Sequence, residues 1–126
     1  MEPRPFKPED YEQLKAWLTK RDAHVFHPDV LPPYGFIVDE VAAMFLYETW
    51  KSPFCYMENM VTNPSASPTE RHQALRLITT AIVEKAKELG FKFALAVTDE
   101  PTVIVRALQH GAKIETGKTL LTLQLS

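Results

Sequence analysis

Residues 54–97 read as strand, helix and strand, and no other feature of the chain restricts its fold as much. FCYMENMVT, residues 54–62, is rich in aromatic and apolar residues, and FKFALAV, residues 91–97, is a near-continuous apolar run. Between them, Pro68 to Leu89 carries Leu75, Ile78, Ile82, Ala86 and Leu89 on one stripe, with Glu84, Lys85, Lys87 and Glu88 turned away. Gly90 supplies the stop. A helix of that length between two strands is a crossover, so part of the sheet is parallel and helices cover its faces.

The rest of the chain fits around this unit. Residues 2–6 are expected to form a short first strand, and Pro8 opens a helix with Glu9 and Asp10 in its first turn. Tyr11, Leu14, Trp17 and Leu18 give that helix one apolar face, ending near Arg21. Residues 22–33 hold three prolines and predict an irregular excursion with at most one helical turn. YGFIVD, EVAAMFLYETW and PFCYMENMV follow, punctuated by Asp39-Glu40 and Lys51-Ser52-Pro53, as expected of a three-stranded antiparallel meander. VAAMFL is apolar on both faces, which suits an internal strand. Beyond FKFALAV, Asp99-Glu100-Pro101 starts a third helix that Gly111 ends, and AKIETGKTLLTLQL predicts two further strands.

Composition narrows the class. The 126 residues suit one domain with its own core, at 45% hydrophobic and 24% charged. A net charge of -2 offers no general field for nucleic acid, which is not expected as a partner. The lone Cys55 suits a reducing compartment and lies in an apolar run, where a buried inert thiol is expected. MEPRPFKPED has no apolar core of signal-peptide length and no run approaches a membrane span, so the expected location is cytoplasmic. His24 and His27 have no further histidine or cysteine nearby, and no metal site is expected.

The turn into the long helix, NPSASPTERHQAL from Asn63 to Leu75, contains no glycine. Ser67, Pro68, Thr69 and Glu70 spell a capping box with proline at the first helical position. Ser67 would accept from the Glu70 amide while the Glu70 carboxylate returns to the Ser67 amide. Such a cap is worth about 1 kcal/mol and explains the residues structurally. Arg71, His72 and Arg76 bring positive charge to the same turns, against the helix dipole. Arginine grips phosphate through its side chain, so a side-chain anion site is the other reading.

In the order β-α-β-β-β-α-β-α-β-β the chain resembles the GNAT superfamily of acetyl-CoA-dependent N-acyltransferases. The resemblance rests on FCYMENMVTNP before a helix, on the opening of that helix, and on DEPTVIVRALQHGAKI, with MEPRPFKPEDYEQLKAWL similar to the usual opening. It implies an α/β fold of the GNAT-like kind: a mixed central sheet of about six to seven strands flanked by helices on both faces. The fourth strand would splay from the fifth. The acyl-pantetheine arm of acetyl-CoA would lie in the gap, bonded to backbone around Met60, Val61 and Thr62. The pyrophosphate would sit on amides at the start of the long helix, where the family carries Arg/Gln-x-x-Gly-x-Gly/Ala. One frame puts Arg71 first, Ala74 at the first glycine and Arg76 last. A frame two residues earlier puts His72 at the first glycine and Ala74 last. Neither contains a glycine. The residues so marked for coenzyme binding are Arg71, His72, Gln73, Ala74 and Arg76.

Acyl transfer from a thioester to an amine needs a base, an oxyanion donor and an acid for the thiolate. Glu58 interrupts an apolar run near the implied gap and is the expected base, with Glu48 as second choice. The family's tyrosine acid, four residues before the helix-ending glycine, falls here on Ala107, with Gln109 and His110 nearby but out of position. The implied acceptor is an amine of a small molecule or peptide. The alternative is a non-catalytic GNAT-like interaction or structural protein with a protein partner, such as viruses of bacteria carry.

Overall fold

The runs 34–38, 42–48 and 54–62 become the middle of the sheet. In the computed structural model, which describes residues 1–98 and 101–117, β1 (Arg4–Pro5), β2 (Tyr34–Val38), β3 (Ala42–Glu48), β4 (Phe54–Thr62) and β5 (Phe93–Leu95) lie in chain order across one sheet. The first four pair antiparallel and β5 runs parallel to β4. The helices are α1 (Tyr11–Lys20), α2 (Pro68–Glu88) and α3 (Pro101–Gln109).

Side chains alternate across the central strands, and each set meets a different helix. Ile37, Ala43 and Phe45 pack with Leu14, Trp17 and Leu18 of α1. Val38, Ala42, Met44 and Leu46 pack with Ala74, Leu75, Ile78 and Ile82 of α2. This is why VAAMFL is apolar throughout: β3 is covered on both sides. Gly35 permits the closest approach, since a Cβ there would stand 2.4 Å from Cδ1 of the Phe45 ring.

Several expectations are met and others corrected. Residues 22–33 form the expected excursion with one 3-10 turn, Pro28–Val30, tied to α1 by the Tyr11 hydroxyl donating to the Phe26 carbonyl at 2.7 Å. Pro8 opens a 3-10 turn, and the α-helix starts only at Tyr11. The first strand is just two residues long. Arg4 anchors it, donating to Asp10 in that turn at 2.7 Å and to Asp39 in the β2–β3 connection at 2.6 Å. The fifth strand keeps three of the seven residues expected of FKFALAV. Five strands are present among the described residues instead of six or seven. Residues 112–117 carry no strand, and the rest of the expected C-terminal pair lies outside the described residues, as do Asp99 and Glu100.

Candidate active site

β4 makes the site through one irregularity. Ala43 faces Val61 and Phe45 faces Glu58, so two steps on β3 match three on β4. The extra residue bends the strand and reverses the side-chain parity beyond it. Cys55 and Met57 therefore face α2, whereas Val61 past the bulge joins the α1 core. Without the extra residue Val61 would point to the opposite face. Asn59 lies within the bulge at φ 55°, a left-handed conformation that asparagine adopts more readily than most residues. Its side-chain amide donates to the Tyr47 hydroxyl at 2.5 Å.

Pairing between β4 and β5 stops shortly before the bulge. Phe54, Cys55 and Tyr56 match Phe93, Ala94 and Leu95, and beyond that point β4 continues through Thr62 with no β5 partner. The two parallel strands thus part after Tyr56, on the edge where the backbone of Met57 to Thr62 runs. Glu58 stands at the mouth of the opening, half-buried, and its carboxylate accepts from the Val97 amide across it. Burial pushes the Glu58 carboxyl above its ordinary value and that one amide bond only partly offsets the rise. An open cleft of about 510 Å³ is lined by Val30, Tyr47, Tyr56, Glu58 and Asn59. Burial, then the Glu58 charge, raise the Tyr47 phenol as well.

The other expected residues scatter. Met60 is exposed, and Val61 is buried in the α1 core. Thr62 already receives Arg21, whose guanidinium donates to the Thr62 carbonyl at 3.1 Å and hydroxyl at 2.7 Å. Glu48 is exposed at the end of β3. Cys55 is fully buried, its thiol raised by burial and directed at the Phe93 carbonyl. His27 Nδ1 accepts from the Asp29 amide, and no cluster suited to a metal occurs among the described residues.

The helix tip is filled. The Glu70 amide donates to Ser67 Oγ at 3.1 Å, and the Glu70 carboxylate accepts from the Ser67 amide at 3.1 Å. The Arg71 amide bonds the Ser67 carbonyl and Pro68 has no N–H. Of the four amides a helix normally leaves open, that of Thr69 alone has no partner among the described residues. Arg71 to Arg76 lie inside α2. Ala74 is buried against the sheet, Gln73 and Arg76 are exposed, and the half-buried Arg71 reaches the Pro64 carbonyl at 3.5 Å. An amide cradle for a pyrophosphate therefore does not fit this tip, while the edge of β4 beyond Tyr56, which has no strand partner among the described residues, fits an extended arm.

Two features of the site escaped the sequence reading. Asn59 could have been found, because an asparagine inside a strand-like run signals a left-handed bulge. Arg106 in α3 is 5% exposed, and its Nη2 lies 3.3 Å from His72 Nδ1. Its position three residues after Val103 on a helix puts it on an apolar stripe, a signal that was also available.

The fold is that of GNAT-type acetyltransferases. A protein from Thermus thermophilus superposes with a TM-score of 0.69 at 17% identity, covering 100% of this chain and 98% of its own. An acetyltransferase from Trypanosoma brucei gives 0.67 at 12%, covering 97% and 99%. An aminoglycoside acetyltransferase from an uncultured soil sample, in complex with trehalose, gives 0.64 at 14%, covering 98% and 96%. No family model matches the chain, and no curated protein matches it. No helix among the described residues is long and apolar enough to cross a membrane.

Proposed function

We propose that the chain is an acetyl-CoA-dependent N-acyltransferase acting on an amine of a small molecule or peptide. One observation carries this reading: β4 and β5 separate after Tyr56 and Leu95, with a half-buried carboxylate at the opening. Backbone of Met60, Val61 and Thr62 would hold the arm along the unpaired edge. Arg71, His72 and Arg76 would meet the phosphates by side chain, with Gln73 exposed beside them and Ala74 closing the helix against the sheet. The coenzyme supplies an acetyl group activated as a thioester. Glu58 removes the proton that an arriving ammonium must lose, and its raised pKa narrows the gap between base and acid. Tyr47 and Tyr56 flank the carboxylate and give a cation two aromatic neighbours. No residue occupies the position of the family's tyrosine acid, so the thiolate leaves without that help.

Calorimetric titration with acetyl-CoA tests the reading, which requires heat of binding and an acetyl transfer to amines. Absence of heat and of any thermal shift at millimolar coenzyme ends it. A second reading, a non-catalytic module on the same scaffold, is favoured by the Ser67–Glu70 cap that occupies the Ser67 and Glu70 amides. A purified sample that carries a stoichiometric protein partner and binds no coenzyme would select it.

A further inference from the structure

The first halves of β4 and β5 are bare on the face that α1 covers elsewhere. Residues in register across a sheet share a face, so Glu58 stands on the α1 side with Phe45, and Tyr56 with Tyr47. Phe54 follows by alternation, and Phe93 and Leu95 join as the partners of Phe54 and Tyr56. The cluster buried under α1 takes Val61 from β4 and, among the described residues, nothing from β5. Phe93 is 58% exposed, Leu95 41%, Phe54 39% and Tyr56 38%. The Phe54 and Phe93 rings meet across the strands with centroids 5.6 Å apart.

A contiguous apolar row in water marks a binding surface, and its neighbours say for what. The row runs into the cleft where Glu58 lies with Tyr47, Tyr56 and Val30. Alternate residues of a strand stand about 7 Å apart. A cation held at Glu58 therefore places a group on a short linker over Tyr56 and Leu95, and a longer body reaches Phe54 and Phe93. The coenzyme arm would take the β4 edge beyond Tyr56, so it leaves this row free for the acceptor. The two would meet at Glu58.

We infer that this face binds the acceptor as an amine carried on an aromatic body, with the ammonium at Glu58 and the aryl group on Tyr56, Leu95 and the Phe54–Phe93 pair. An aryl ring gains both from the apolar area it covers and from ring-on-ring contact. A second ammonium laid over the same side chains would lose water against apolar groups, so a polyamine is disfavoured. This substrate class rests on the acyltransferase reading for the chemistry done to the amine, whereas binding of the amine needs no coenzyme.

The test titrates phenethylamine, ethylamine and spermidine, without coenzyme and at matched ionic strength, into the wild type, Phe93→Ser and Glu58→Gln. Phenethylamine should bind the wild type at least about tenfold tighter than ethylamine, which lacks only the ring, and tighter than spermidine. Phe93→Ser should lose most of that preference, and Glu58→Gln should weaken phenethylamine several-fold. The wild-type comparison decides the matter alone if Phe93→Ser does not fold. Phenethylamine bound no tighter than ethylamine, or not at all at millimolar concentration, overturns the inference. So does a dimer in sedimentation that Phe93→Ser dissociates while amine affinity stays unmoved, since a second copy would then occupy the row. If phenethylamine binds with this preference and acetyl-CoA gives no heat, the amine face stands and the acyltransferase reading falls. If acetyl-CoA binds and acetylates the three amines equally well, the inference falls and the acyltransferase reading stands.

Discussion

Glu58 is held where its charge is costly. It projects from β4 into a cleft with two tyrosines and receives one backbone donor, from Val97. The raised folded pKa fixes the sign of two effects. Stability falls as pH climbs from the unfolded carboxyl value through the folded one, so Glu58→Gln gains on the wild type across that window. Denaturant midpoints measured across acidic pH check this. Acetyl transfer should rise over the same limb, with its midpoint above the ordinary carboxylate range. Glu58→Gln should lose about 10²–10⁴-fold in turnover while coenzyme affinity is spared. Unchanged turnover removes Glu58 from the role of base. Glu58 was legible because a carboxylate breaks an apolar run; its partner Val97 was not, because it depends on where β5 ends. At Gly35 the constraint is steric. A Cβ would meet the Phe45 ring at 2.4 Å, and Phe45 is fully buried with nowhere to withdraw. Gly35→Ala should cost about 1–3 kcal/mol, read from urea denaturation.

At the scale of elements, local signals and tertiary ones separate cleanly. The capping box of α2 was readable because Ser67, Pro68 and Glu70 act on neighbours three residues away, and both of its bonds form. Ser67→Ala should destabilise by about 1 kcal/mol. Glu70 is held below its usual pKa by the Ser67 amide and hydroxyl, so its contribution is present above the unfolded carboxyl value and disappears as pH falls through the folded one. The meander was readable for the same reason, since its turns punctuate it. The length of β5 was not: FKFALAV is apolar throughout, yet strand pairing ends at Leu95, opposite Tyr56 and ahead of the β4 bulge. The two-residue β1 also depends on distant groups. Arg4 joins Asp10 and Asp39, and it lowers the Asp10 pKa chiefly through its hydrogen bond. Asp10→Asn should therefore destabilise the protein at neutral pH, with the difference fading as acid protonates Asp10, and pH-dependent thermal denaturation reads it directly.

Across the whole molecule, the crossover from β4 through α2 to β5 gave the architecture, and the resemblance to the GNAT fold extends over the full chain. What the sequence alone left open was how the two hallmarks of a coenzyme site had fared, and the structure divides them. Pairing of the parallel strands ends at Tyr56 and Leu95, and β4 carries its bulge at Asn59 just beyond. The amide cradle is closed by its own cap. The cleft beside Glu58 is bordered by Val30, from the proline-rich excursion whose sequence has no legible pattern. On the proposed reading, amine specificity would depend on a segment that only the folded chain brings beside Glu58. The decisive measurement follows individual backbone amides by nuclear magnetic resonance while acetyl-CoA is added. Shifts concentrated at residues 57–62 and 96–98, along the opening, are the predicted result. A spectrum unmoved at millimolar coenzyme, or moved only elsewhere, would contradict the claim that the parted strands receive an acyl arm.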